Sequence, residues 1–489
     1  MPKPTLAPGA LVDGFRLEEK IYKGSMSALW RVTHPDHGGA LVMKIPLLRY
    51  GDDPTAIIGF EVEQMIMPLL KGPHVPRFVA TGDFDTQPYI VMEHVPGEPL
   101  SARMKDGPLP AAAVADLGAR VAHALHALHR QNLVHLDVKP GNVLFREDGT
   151  VILIDFGLSR LCGRPDLIAE ETHTPAGTGA YIAPEQVMGT RDDPRSDLFA
   201  MGVMLFEMAT GKLPFGAPQS VRGLRRRLYQ APPPPRAFAP DCPPWLQEII
   251  LRCLEVDPLA RPGTAAQLAF LLQHPDQVTL TERATRTRRD GTLTVARRWI
   301  RYLMRTPTIR PSVSERLSRA PIVATAVDLS HGETPLTDAQ RRVTQSLFRT
   351  APGARLACIT VLKVARIGMD LGVDKEGNNL HVGSLVTLKH WAKPLGIEPD
   401  RITYHVLEAP DPAAALVDYA RGNHVDHLIV GARGHSALRR YLGSVSSQVV
   451  AQAPCTVTVV RPPERHHADS GADPGAEERE PAHADAAGE

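Results

Sequence analysis

The stretch His135-Leu136-Asp137-Val138-Lys139-Pro140-Gly141-Asn142 decides how this 489-residue chain is read. It sets a carboxylate and a carboxamide five positions apart, around a Pro-Gly pair that marks a loop. Such a pair suits a base for a hydroxyl and an oxygen ligand for a hard cation. Thirteen residues past Asn142, the apolar run Ile152-Leu153-Ile154 delivers Asp155-Phe156-Gly157, a second metal-binding carboxylate at a strand end. Upstream, Val42-Met43-Lys44 puts an ammonium mid-strand. Nineteen residues later Glu63 lies on a helical stretch at 57–67, on the side of Phe60 and Ile66, where it can hold that ammonium. Pro68 ends this helix, because its ring cannot continue the ladder. Downstream, Gly177-Thr178-Gly179-Ala180-Tyr181-Ile182-Ala183-Pro184-Glu185 precedes a helix opening with Ser196-Asp197. Phosphoryl transfer needs positioned phosphates, charge neutralised by Mg²⁺ and an oriented nucleophile, and these residues offer those roles.

The period of the apolar residues assigns the architecture around these motifs. Short apolar runs at 11–17, 28–33, 40–46 and 88–93 predict a small antiparallel sheet interrupted by one helix. From 111 onward Val114, Leu117, Val121, Leu125 and Leu128 recur at helical spacing, and helical segments follow near 196–210, 219–229, 243–254 and 264–273. Sheet first and helices after is a two-lobed α+β arrangement. After Pro321 strands at 322–328, 355–364, 401–408, 426–431 and 455–460 alternate with helices at 336–349, 384–394, 411–422 and 445–452. The near-continuous apolar strands at 322–328 and 426–431 predict an α/β parallel sheet covered on both faces.

In this order and spacing the motifs resemble the eukaryotic-like protein kinase family over residues 12–273. The resemblance implies that Lys44 binds phosphate, Glu63 is its helix partner, Asp137 is the catalytic base and Lys139 contacts the γ-phosphate. It makes Asn142 and Asp155 the Mg²⁺ ligands and places Ile21, Gly24, Leu29 and Met92 beside ATP. Glu185 would pair with Arg261, which sits in Asp257-Pro258-Leu259-Ala260-Arg261-Pro262, and Asp197 would open the helix that braces the catalytic loop. Lys139 two residues after Asp137 resembles serine/threonine kinases, and the 177–185 segment argues against small-molecule phosphotransferases. The expected partners are therefore ATP and protein substrates; the alternative is a pseudokinase scaffold that binds nucleotide without turnover.

Two departures from the family carry expectations. The phosphate-covering loop Ile21-Tyr22-Lys23-Gly24-Ser25-Met26-Ser27-Ala28-Leu29 keeps only the middle glycine, which should stiffen it and slow nucleotide handling. Leu136 stands where many family members have an Arg that pairs with a phosphate on the activation segment. Thr172, Thr174 and Thr178 are candidate phosphorylation sites in that segment, but Leu136 predicts that activity does not require such a phosphate. His123, His126 and His129 tempt a metal reading on one helix. Without an acidic residue beside them they read as a partly solvated face. His135 reads as a packed residue of the loop.

Residues 320–462 resemble the universal stress protein family. The likeness rests on Val323-Ala324-Thr325-Ala326-Val327-Asp328-Leu329-Ser330 and on Gly431-Ala432-Arg433-Gly434-His435-Ser436 leading to Gly443-Ser444-Val445-Ser446-Ser447. Glycines let backbone wrap a phosphate, and a helix start at Ser444 adds free N–H groups. The resemblance makes Asp328, Gly431, Gly434, Gly443 and Ser444 nucleotide contacts. One residue is missing between Gly434 and Gly443 relative to the usual pattern, which leaves homodimerisation or partner contact as the other reading.

Charge completes the organisation. Residues 280–320 hold eleven Arg, no Lys and three acids, a net +8, and residues 463–489 hold eight acids and two Arg, a net −6. Segregated charge marks linkers and tails, so 274–319 is expected as a solvated Arg-rich linker and 463–489 as a disordered acidic tail that could touch it. Val295, Trp299, Ile300 and Leu303 are compatible with one face of a short basic helix. Lipid contact through it is a lesser reading, and nucleic acid is not expected because aromatics are not interleaved through the run. A composition of 43% hydrophobic and 22% charged residues is that of a globular chain. The longest apolar stretch is broken by Glu207 and falls short of the roughly 20 residues of a membrane span. The opening MPKPTLAPGA has no apolar h-region, and five scattered cysteines lack CxxC spacing. Both lead to the expectation of a cytoplasmic protein without disulfides or a thiolate metal site.

Overall fold

Alternation of buried and exposed residues builds the first lobe of the computed structural model, which describes residues 6–24, 26–47, 54–172, 174–304, 320–330, 332–364, 379–432 and 443–462. Strands β1 (Leu11–Val12), β2 (Phe15–Lys23), β3 (Ser27–His34), β4 (His37–Pro46), β5 (Phe78–Gly82) and β6 (Tyr89–Glu93) form one antiparallel sheet in the order β1-β2-β3-β4-β6-β5. Ala28, Trp30, Val32, Leu41 and Met43 fill a core on one face. Leu29, Lys44 and Ile90, paired in one row of the sheet, belong to the other face, because successive Cβ atoms alternate. Helix α1 (Pro54–Ile66) covers that face and runs into a single 3₁₀ turn at Met67–Leu69 that contains Pro68. Strand β5 escapes sequence periodicity because most of its residues are half-buried rather than alternating.

The second lobe is helical. Helix α2 (Ala111–His129) buries Val114, Leu117, Val121, Leu125 and Leu128, the stripe predicted from spacing. A short helix α3 (Leu167–Glu171) follows in the segment after Asp155. Next come α4 (Arg195–Thr210), α5 (Pro244–Cys253) and α6 (Ala265–Gln273), packed in one core with α2. A Cβ at Gly118 would stand 2.6 Å from a methyl of Leu205, so glycine sets the close approach of α2 to α4.

Through residue 304 the Arg-rich linker is mostly exposed, but it carries helices and ion pairs that its charge pattern does not announce. Gln247 donates to the carbonyls of Arg283 and Arg286 at 2.7 and 2.8 Å, and Arg283 pairs with Glu255 at 2.9 Å. Helix α7 (Thr292–Met304) follows, and Asp290 holds Arg286 and Arg298 at 2.9 and 2.6 Å. Arg283, Arg286 and Arg298 thus have acids to offset their charge, while most of the segment stays exposed. Trp299 and Ile300 are both exposed. The remainder of the linker, 305–319, and the acidic tail, 463–489, lie outside the described residues.

The last domain is a wholly parallel sheet. Strands β7 (Ile322–Ala326), β8 (Arg355–Lys363), β9 (Ile402–Ala409), β10 (His427–Gly431) and β11 (Thr456–Val460) run in the order β9-β8-β7-β10-β11. Helices α8 (Pro335–Thr350) and α9 (Leu380–Ala392) pack on one face, and α10 (Pro412–Gly422) and α11 (Ser444–Gln452) on the other. The order reverses between β7 and β10, the switch point at whose carboxyl end such sheets place ligands. All five cysteines are free; Cys162 is exposed, Cys242, Cys253 and Cys358 are buried. Burial pushes the Cys242 and Cys253 thiols up to about 11 and about 12. Among the described residues no helix is long and apolar enough to cross a membrane.

Candidate active site

The alternation of β4 turns Lys44 toward α1, where Glu63 is 2% exposed. Lys44 Nζ stands 2.6 Å from Glu63 Oε2 and 3.0 Å from Asp155 Oδ1. Burial would lower the Lys44 pKa, but the charges of Asp155 and Glu63 more than offset it and hold the ammonium above its ordinary range. The same Lys44 charge pulls Asp155 below the usual carboxylate range. Burial outweighs that attraction at Glu63, whose pKa is raised. Asp155 lies in the left-handed region at φ 69° and keeps 44% of its side chain exposed. A carboxylate this accessible, beside the loop that carries Asn142, supplies hard oxygen donors of the kind Mg²⁺ takes.

The catalytic loop is fixed from both sides. Asp137 accepts from Lys139 Nζ at 2.6 Å, from Asn142 Nδ2 at 3.2 Å, and from the Thr178 hydroxyl and N–H at 2.7 and 3.0 Å. Lys139 Nζ also donates to the Thr178 hydroxyl at 2.9 Å. Sequence reading offered Thr178 only as a phosphorylation candidate; the structure makes it a partner of the base and of Lys139. From behind, Asp197, fully buried, accepts the N–H of His135 at 2.9 Å and of Leu136 at 2.8 Å. That satisfies the backbone of Leu136, which sits at φ 63°. His129 Nε2 lies 2.8 Å from the same carboxylate. Burial would raise the Asp197 pKa, but the bond to His129 and the nearby charges bring it below its ordinary value. The reading of the three histidines as a face with no acid beside it therefore fails at His129, because Asp197 arrives from another helix. Among the described residues no group of three or more His, Cys, Asp or Glu side chains is placed to hold a metal. His135 is buried as expected, against the Ile154 carbonyl at 3.2 Å.

The segment from 177 to 185 is anchored beneath the loop. Arg261, fully buried, grips Glu185 with two bonds of 2.6 and 2.7 Å, the pair expected from sequence. Ser196 adds a 2.7 Å bond to the same carboxylate. Above the site the Gly24 N–H donates to the Ser27 carbonyl at 2.9 Å. Tyr22, in place of a family glycine, is 59% exposed. Ile21 and Leu29 pack partly buried against the core, and Met92 is buried opposite Val42.

In the parallel-sheet domain, Asp328 lies just past β7 and Gly431 ends β10, so the two occupy the carboxyl ends of adjacent strands at the switch point. A Cβ at Gly431 would come within 3.0 Å of Gln340. Gly443 precedes Ser444, the first residue of α11. Gly434 lies outside the described residues.

Against known proteins, residues 15–275 match the family model of the protein kinase domain and residues 326–461 that of the universal stress protein family. The chain is 30% identical over 431 residues to serine/threonine-protein kinase Pkn1 of Myxococcus xanthus, a match covering 84% of this chain and 60% of that one. It is 31% identical over 260 residues to serine/threonine-protein kinase PknA of Mycobacterium tuberculosis, covering 52% and 59%. The PknI kinase domain of Mycobacterium tuberculosis aligns with TM-score 0.45 and 26% identity over 55% of this chain and 100% of that domain. The chain thus spans less than two thirds of the length of the curated relatives it matches.

Proposed function

The chain belongs to the protein kinase family, and from that premise we propose that it transfers the γ-phosphoryl group of ATP to serine or threonine hydroxyls of proteins. The observation that carries the reading is the convergence on Asp137 of Lys139 and Thr178, residues 2 and 41 positions away, at hydrogen-bonding distance. Their bonds fix the orientation of the carboxylate, so that it meets the acceptor hydroxyl already aligned. In the reaction Asp137 takes the hydroxyl proton as the acceptor oxygen bonds to the γ-phosphorus and the bridging oxygen leaves with ADP. Lys139 offsets charge on the transferring group, and Lys44 holds the remaining phosphates. Asn142 and Asp155 would hold Mg²⁺, which when bound neutralises phosphate charge. The pseudokinase alternative has less support, since Lys44, Glu63, Asp137, Lys139, Asn142 and Asp155 are all present and Leu136 replaces only an arginine outside the phosphoryl-transfer chemistry.

The C-terminal domain, in this reading, senses nucleotide at Asp328, Gly431, Gly434, Gly443 and Ser444, or serves homodimerisation. Free thiols throughout fit a cytoplasmic chain. Incubation with labelled ATP, Mg²⁺ and an acceptor protein tests the first claim. Wild type should label serine or threonine, and Asp137→Ala and Asp155→Asn should fall to background; equal labelling by Asp155→Asn overturns the assignment. Calorimetry tests the second: two ATP sites in wild type and one in Asp328→Ala support nucleotide sensing, whereas one site in both removes it.

A further inference from the structure

Two carboxylates of the activation segment are buried against the C-terminal domain, and the chemistry above does not use them. Helix α3 begins after Asp166, whose side chain accepts the Ala169 N–H at 3.2 Å and is held by Arg191 at 3.0 Å. Its apolar side, Leu167 and Ile168, enters the core that holds Ile57, Ile58 and Val62 of α1, and Val382 and Leu385 of α9 join the same core. Its polar side presents Glu170 and Glu171, each side chain 7% exposed. Arg355 of β8 grips Glu170 with two bonds of 2.7 and 3.2 Å. His405 of β9 stands between the acids, 3.1 Å from Glu170 and 2.8 Å from Glu171. A second contact reaches α1, where Lys389 of α9 lies 2.7 Å from Glu61, two residues before Glu63.

Adjacent carboxylates withdrawn from water need cations to compensate them. Every ion-pair partner of Glu170 and Glu171 among the described residues comes from the C-terminal domain. Leu136, meanwhile, leaves the catalytic loop without a guanidinium to anchor this segment. We propose that the C-terminal domain supplies that anchor: Arg355 and His405 clamp α3, Lys389 clamps α1, and together they keep Glu63 on Lys44 and Thr178 on Asp137. Arg355 and His405 are thus positioning residues for phosphoryl transfer. The inference rests on the kinase reading and supplies a physical basis for the expectation, drawn from Leu136, that activity does not require a phosphate on this segment.

The test compares full-length wild type, Arg355→Glu, and the swap Arg355→Glu/Glu170→Arg, with casein as acceptor, alongside hydrogen exchange of residues 158–172 and 54–66. Arg355→Glu should lower kcat tenfold or more, leave the KM for ATP within twofold, and raise exchange in both segments. The swap should recover at least a third of kcat, which a loss of general stability would not allow. Should Arg355→Glu not fold, Lys389→Met serves, with exchange raised in α1 and kcat lowered at least threefold. Unchanged or increased kcat with unchanged exchange overturns the clamp. An inactive wild type would sink the kinase reading, while the exchange data would still decide whether the domain holds these helices.

Discussion

Thr178 shows how one hydroxyl ties two chemical groups together. It donates to Asp137 and accepts from Lys139, so removing it frees both side chains to rotate away from the acceptor. Thr178→Val should lower kcat by about 100-fold, the lower end of what general acid–base catalysis contributes, while Thr178→Ser keeps most of it; steady-state rates with a protein acceptor decide. Arg261 acts on stability instead. With its side chain fully buried on Glu185, Arg261→Ala strands an uncompensated carboxylate and should lower unfolding free energy by about 3–5 kcal/mol, read by denaturant titration. Lys44, Glu63, Asp137, Asn142 and Asp155 were legible because their order and spacing resemble the kinase motifs, and the structure sets Lys44 against Glu63 and Asp155 and Asn142 against Asp137. Thr178 was legible as a hydroxyl but not as a partner of Asp137, and the His129–Asp197 contact was hidden by a separation of 68 residues.

Elements were read better than the contacts between them. The strands of the C-terminal domain fall within two residues of their expected positions, because a sheet buried on both faces writes itself as continuous apolar runs. Strand β5 and helix α3 were missed, one half-buried along most of its length and the other only five residues long. The ion pairs of the Arg-rich linker were not legible, because its charge pattern does not reveal the acids and carbonyls that meet Arg283, Arg286 and Arg298 in space. Helix crossings follow from single small residues that no periodicity marks. At Gly118, where α2 meets α4, a side chain has no room, so Gly118→Val should cost about 1–3 kcal/mol through overpacking. A lowered thermal midpoint with little change in the KM for ATP would confirm that the effect belongs to the helix pair.

At the scale of the whole molecule, the clamp between domains is built around a histidine. Burial would lower the His405 pKa, but its bonds to Glu170 and Glu171 and their charges raise it to about 9. Arg355 and Tyr419 also face this cluster. A raised pKa means that the stabilisation is fully present below the free imidazole value of about 6.5 and is lost as pH rises through about 9. Hydrogen exchange of residues 167–171 should therefore quicken between pH 7 and 9.5 beyond the intrinsic rate increase, and His405→Gln should flatten that excess. Cys162, the exposed thiol of the five, lies five residues before α3. A maleimide dye attached there would turn an accident of composition into an optical reporter, its emission following in real time whether the neighbouring domain has let go.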